Sequence, residues 1–145
     1  MRSRSGWPAV LVSALVFGFA LYAVQRWLER GVVLSDVGGY QQYAEFVRAG
    51  NVPYSHQLNV PLAYPPASLV PWLLASYMSW SYATSFTILM GLCGLGCIVL
   101  IAATLRKVGA GPGRTWAALL LFAVSPVVLG SVFGTRFDLW PTLLA

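Results

Sequence analysis

The tightest constraint on this chain is a set of apolar runs, each close to the length of a bilayer crossing. The first covers residues 7–27, preceded by Arg2 and Arg4 and closed by Gln25-Arg26-Trp27-Leu28-Glu29-Arg30. The second covers 82–105 and closes on Arg106 and Lys107; the third covers 115–133. A helix needs about 20 apolar residues to cross a hydrocarbon core about 30 Å thick. Composition agrees: 58% of residues are hydrophobic, only 9% are charged and mean hydropathy is +0.71. Soluble domains carry about 25% charged residues, and a soluble fold of 145 residues leaves too much surface exposed to hide this much apolar area. The expected fold class is all-α and integral to the membrane, a polytopic helical bundle in contact with the lipid bilayer.

The +5 formal charge does not point to nucleic acid. Its basic residues are scattered over the ends of apolar runs, whereas nucleic-acid binding needs a basic patch or stripe. Cys93 and Cys97, four residues apart in an apolar run, read as small buried hydrophobes. A cleaved signal peptide is the rival reading of the first run, but its apolar region would be shorter, about 7–15 residues; an uncleaved span is the better fit.

Between the first two spans lies a polar connection holding Asp36, Glu45 and His56. Within it, 36–49 has helical periodicity: Val37, Tyr40, Ala44 and Val47 share one face, Gln41, Gln42, Glu45 and Arg48 the other, and Gly50 is a stop. This piece is too short to span and is expected to lie along the interface, with Ser35 or Asp36 as its N-cap. A second short apolar helix is expected over 66–78, after Tyr64-Pro65-Pro66. Pro126 is expected to kink the third span. A polar break, Gly134-Thr135-Arg136-Phe137-Asp138, precedes a fourth span that starts near 138 and is cut off at Ala145, so a truncated N-terminal module is expected.

Charge chooses between two topologies. If 66–78 crossed the membrane, Arg106, Lys107 and Arg114 would lie outside, against the positive-inside rule. If it lies in the interface, these cations and Arg2 and Arg4 are all cytoplasmic, as is the N-terminus. Asp36 and the Arg136-Phe137-Asp138 break then share the outer face.

Asp36 is the leading candidate for chemistry. At a helix N-terminus a carboxylate is held ionised by the dipole, and an ionised carboxylate can take a proton from a hydroxyl. Plain N-capping accounts for the same residue equally simply. Asp138 beside Arg136 is either a solvated loop pair or part of a functional cavity, and Arg136 suits a phosphate. Arg48 reads as a partner of Glu45. Lone His56 fits a surface loop and is a weaker site candidate. Tyr40 and Tyr64 fit interface anchoring, although the ring of Tyr64, fixed by the prolines after it, also suits a sugar. No nucleotide-binding motif or metal-ligand cluster is present in the sequence.

In order, Ser35-Asp36-Val37-Gly38-Gly39-Tyr40-Gln41-Gln42-Tyr43-Ala44, Gly50-Asn51-Val52-Pro53-Tyr54, Tyr64-Pro65-Pro66 and Arg136-Phe137-Asp138 resemble the polytopic GT-C glycosyltransferases. The branch most similar is glycosyltransferase family 87, which includes polyprenyl-phosphomannose-dependent mannosyltransferases. The resemblance covers the first third or so of a family chain. It implies an inverting membrane glycosyltransferase that moves a sugar, mannose by family expectation, from a polyprenyl-phosphate-linked donor to an extracytoplasmic glycan or glycolipid acceptor. It implies Asp36 as catalytic base, Asp138 with Arg136 as a polar site near the active cavity, and Tyr64-Pro65-Pro66 as the start of a second juxtamembrane helix; Tyr64, Tyr40 and His56 complete the candidate substrate-binding set. It implies no certain cofactor, with a divalent metal left open, and no activity for this fragment alone. A transporter or flippase subunit and a non-catalytic membrane scaffold are the rival functions.

Overall fold

A computed structural model describes residues 6–28, 35–53 and 64–145. Among the described residues all regular structure is helical. Helix α1, Trp7–Ala23, carries Pro8 in its first turn and runs on as a π-helical turn, Val24–Leu28. Helix α4, Tyr82–Lys107, starts at Ser81, whose hydroxyl accepts from the Thr84 amide at 3.3 Å. It ends with Arg106 and Lys107 in its last turn, where cations complement the exposed carbonyls. Gly109, at φ +68, turns the chain into helix α5, Pro112–Leu129. These three segments are long and apolar enough to cross a membrane.

Glycines fix how they pack. A Cβ on Gly94 would lie 2.9 Å from Phe17 Cε1, and one on Gly91 would lie 3.1 Å from Leu21 Cδ2. The contact residues rise along α1 as they fall along α4, so the two helices are antiparallel and close, as small residues allow between apolar helices. Helix α5 returns along α1, with Phe17 stacked on Phe122 at 6.0 Å between ring centres. Past its end, Gly134 faces Gln25, Leu21 and Thr87. One end of the bundle therefore gathers the end of α1, the start of α4 and the end of α5. The other gathers Trp7, Arg106, Lys107 and Arg114.

Large apolar side chains remain exposed: Leu11, Leu15 and Phe19 on α1, Leu92, Val99 and Leu100 on α4, Leu121, Val127 and Val128 on α5. Patches of this size do not stay in water, and helices satisfying their own backbone can face lipid. Cys93 and Cys97 are free thiols packed in the interior.

Two short helices cover the end where α4 begins. Helix α2, Ser35–Arg48, buries Val37, Tyr40, Tyr43 and Ala44 and exposes Gln41, Gln42, Glu45 and Arg48. Gly50, at φ +84, follows it. Helix α3, Leu69–Ser76, enters through a 3-10 turn, Pro66–Ser68, and spans roughly 12 Å, well short of a crossing. The two pack on each other and on α4. Arg48 ties them together: its Nη1 donates to the Ser76 carbonyl at 2.8 Å, and its guanidinium sits 4.7 Å from the centre of the Tyr77 ring. Glu45, expected to pair with Arg48, instead accepts from Gln41 at 2.7 Å.

Two boundaries differ from the sequence reading. Asp36 lies inside the first turn of α2 and not at its cap. Helix α5 continues through Pro126 and breaks at Gly130, whose φ of +60 and ψ of −139 suit only glycine. The run 115–133 is thus divided between α5 and a short helix α6, Ser131–Thr135, before helix α7, Leu139–Leu144, packs against α4.

Candidate functional site

The break at Gly130 is what brings the distant parts of the site together. It turns the chain out of α5 and into α6, and the backbone is extended at Arg136 before Asp138 opens α7. Arg136 thereby reaches across the bundle end to α2. Its Nε lies 3.4 Å from Asp36 Oδ2, with the two side chains 53% and 42% exposed. Residues a hundred positions apart in sequence form one ion pair. Asp138, two residues on, is exposed at the same end and makes no side-chain cap.

Beneath the pair lies a cluster of rings. Tyr40, one helical turn after Asp36, stacks on Trp72 with centres 4.6 Å apart and planes at 11°. It meets Phe86 of α4 at 5.4 Å. Tyr64 and Phe137 close the cluster edge-on: Tyr64 lies 6.0 Å from Tyr40 and 5.1 Å from Phe137. Phe137 lies 6.0 Å from Trp72. Edge-to-face contacts at such distances add about 0.5–1.5 kcal/mol each beyond area burial. Four parts of the chain, namely α2, the 3-10 entry with α3, α4 and the Arg136–Asp138 turn, are locked by these rings into one wall.

The ring cluster sorts the sequence candidates. Tyr40 is only 3% exposed, so it supports the ion pair from below. Its hydroxyl is hydrogen-bonded to Tyr64. Burial, then the Tyr64 ring and the Asp36 charge, push its phenol above the ordinary range, against a smaller opposing effect of Arg136. Tyr64 is half-buried. His56 lies outside the described residues. Trp72, fully buried, and Phe86 hold the site although sequence reasoning singled out neither. Trp72 could have been found from its place among apolar neighbours in a helix too short to span. Phe86 has no such signal within its apolar run.

Chemically, the exposed carboxylate can accept a proton and the exposed guanidinium can bind a phosphate. The carboxylate's neighbour is a cation, and no group of three or more His, Cys, Asp or Glu side chains gathers among the described residues. No family model, curated protein or solved structure matches the chain.

Proposed function

We propose that this chain belongs to a membrane glycosyltransferase that uses a polyprenyl-phosphate-linked sugar, with Asp36 as general base and Arg136 as the phosphate-holding cation. The observation that carries this reading is the Asp36–Arg136 pair, 3.4 Å apart and half-exposed at one end of an apolar helical bundle. A lipid-borne donor presents its phosphate and sugar at that depth, which fits a site with no nucleotide-binding loop.

In the resting protein each partner satisfies the other. A half-exposed pair of this kind contributes only about 0–1 kcal/mol, so an arriving phosphate can take Arg136 at little cost. Asp36 is then free to accept the proton of an acceptor hydroxyl. The hydroxyl oxygen bonds to the anomeric carbon as the carbon–oxygen bond to the phosphate breaks, with inversion. The leaving phosphate carries the bonding electron pair, and Arg136 stabilises its charge. Asp138 flanks the site and Tyr64 offers its ring to the sugar. The positive-inside rule sets the orientation: Arg106, Lys107, Arg114 and the N-terminus cytoplasmic, Asp36 and Arg136 on the outer face, α2 and α3 in the outer interface.

The test uses the full-length protein in membrane vesicles with a polyprenyl-phosphate-linked mannose and glycan acceptors. Asp36→Asn is expected to abolish transfer while the protein stays folded. Undiminished turnover in that variant rules out the general-base role.

A further inference from the structure

We infer that a second site, on the far side of α2 from Asp36, binds a neutral pyranose sugar. An open cleft of about 100 Å³ lies between α2, the end of α3 and the start of α4, and it is lined by Gln41, Glu45, Arg48, Ser76, Trp80 and Tyr82. Gln41 and Glu45 are five and nine positions past Asp36. At 100° per residue both face well away from it, so the cleft is distinct from the ion-pair site.

Its chemistry is selective. The Arg48 guanidinium is held against the α3 backbone, at the Ser76 carbonyl, and the Tyr77 ring, and the Glu45 carboxylate opposes an incoming anion. An uncharged ligand meets no such opposition. Glu45 has a second carboxylate oxygen, Gln41 has its amide carbonyl, and both accept from hydroxyls. Tyr82 completes the wall. On the rim, Trp80 is 60% exposed and offers a flat apolar ring to the C–H face of a sugar. Acceptors for hydroxyls beside an exposed indole fit one pyranose ring better than an anion or an apolar chain.

The measurement is saturation-transfer NMR on the full-length protein in lipid nanodiscs, with methyl α-D-mannopyranoside and methyl α-D-glucopyranoside as probes. The unaltered protein is expected to bind at least one of them. Trp80→Ala and Glu45→Gln are each expected to weaken binding roughly threefold to tenfold, the scale of one lost contact or hydrogen bond. Trp80 and Glu45 are exposed, so those two variants keep the fold. A parallel arm adds a glycolipid bearing the same sugar to the disc. Displacement of the free glycoside identifies a lipid-borne ligand, and binding of the free glycoside without displacement identifies a soluble glycan. No binding of either glycoside, unchanged binding in both variants, or stronger competition by phosphocholine overturns the assignment. Because the readout needs no turnover, it stands or falls separately from the role of Asp36.

Discussion

Asp36 and Arg136 form an exposed ion pair that does little for folding, and the role proposed for it is chemical. Both side chains are about half in solvent, where the pair is screened. Arg136→Ala is therefore expected to change stability by no more than about 1 kcal/mol in thermal unfolding. Under the proposed function the same substitution is expected to slow sugar transfer by about 10²–10³-fold, the usual effect of removing a group that stabilises developing negative charge. Equal losses of stability and activity would make Arg136 a structural residue. Trp72 behaves oppositely. It is fully buried beneath the pair and stacked on Tyr40, so Trp72→Ala is expected to cost about 3–5 kcal/mol in the same unfolding measurement. Tyr40 adds a pH dependence. Its phenol is raised above the ordinary 10.0, mainly by burial, so the unfolded chain loses that proton first. The contribution is fully present below pH 10 and declines as pH rises beyond it. Melting temperature should therefore fall above about pH 10, and the fall should be smaller in Tyr40→Phe.

Among the helices, glycines carry opposite meanings that only neighbours reveal. Gly94 is a contact surface for Phe17, whereas a Cβ on Gly38 would meet nothing within 4 Å. Gly94→Val is expected to destabilise the α1–α4 contact by about 1–3 kcal/mol through overpacking. Gly38→Ala is expected to stabilise α2 by up to about 1 kcal/mol, since alanine loses less backbone freedom in a helix. Thermal unfolding of the two variants in one detergent separates them. From sequence the two glycines look alike. Periodicity did mark α2 within a residue at each end, because its apolar positions recur on one face and Gly50 stops it. The break at Gly130 was not legible, because the apolar run continues past it to about 133 and proline is the stronger general signal of a disturbed helix. Here α5 runs through the proline, and it is a backbone conformation open only to glycine that ends the helix.

For the whole molecule, length and hydropathy made three apolar helices legible. The positions of charges also pointed to one end shared by Asp36 and the Arg136–Asp138 turn. The partner of Asp36 was not legible, because nothing local to position 36 or 136 encodes a contact across a hundred residues. It follows from the antiparallel path of α1 and α4 and the turn after α5. The aromatic wall was hidden for a related reason: its rings come from four separate stretches, and each ring alone reads as an ordinary apolar residue. The proposal thus depends on which side of the bilayer each end of the bundle occupies. Labelling of single cysteines with a membrane-impermeant maleimide, in a background with Cys93 and Cys97 replaced by alanine, tests this in intact cells. Asp36→Cys and Arg136→Cys should both react from outside, and Arg114→Cys only after permeabilisation. Reaction of positions 36 and 136 from opposite sides, or of 114 together with them, would contradict the account.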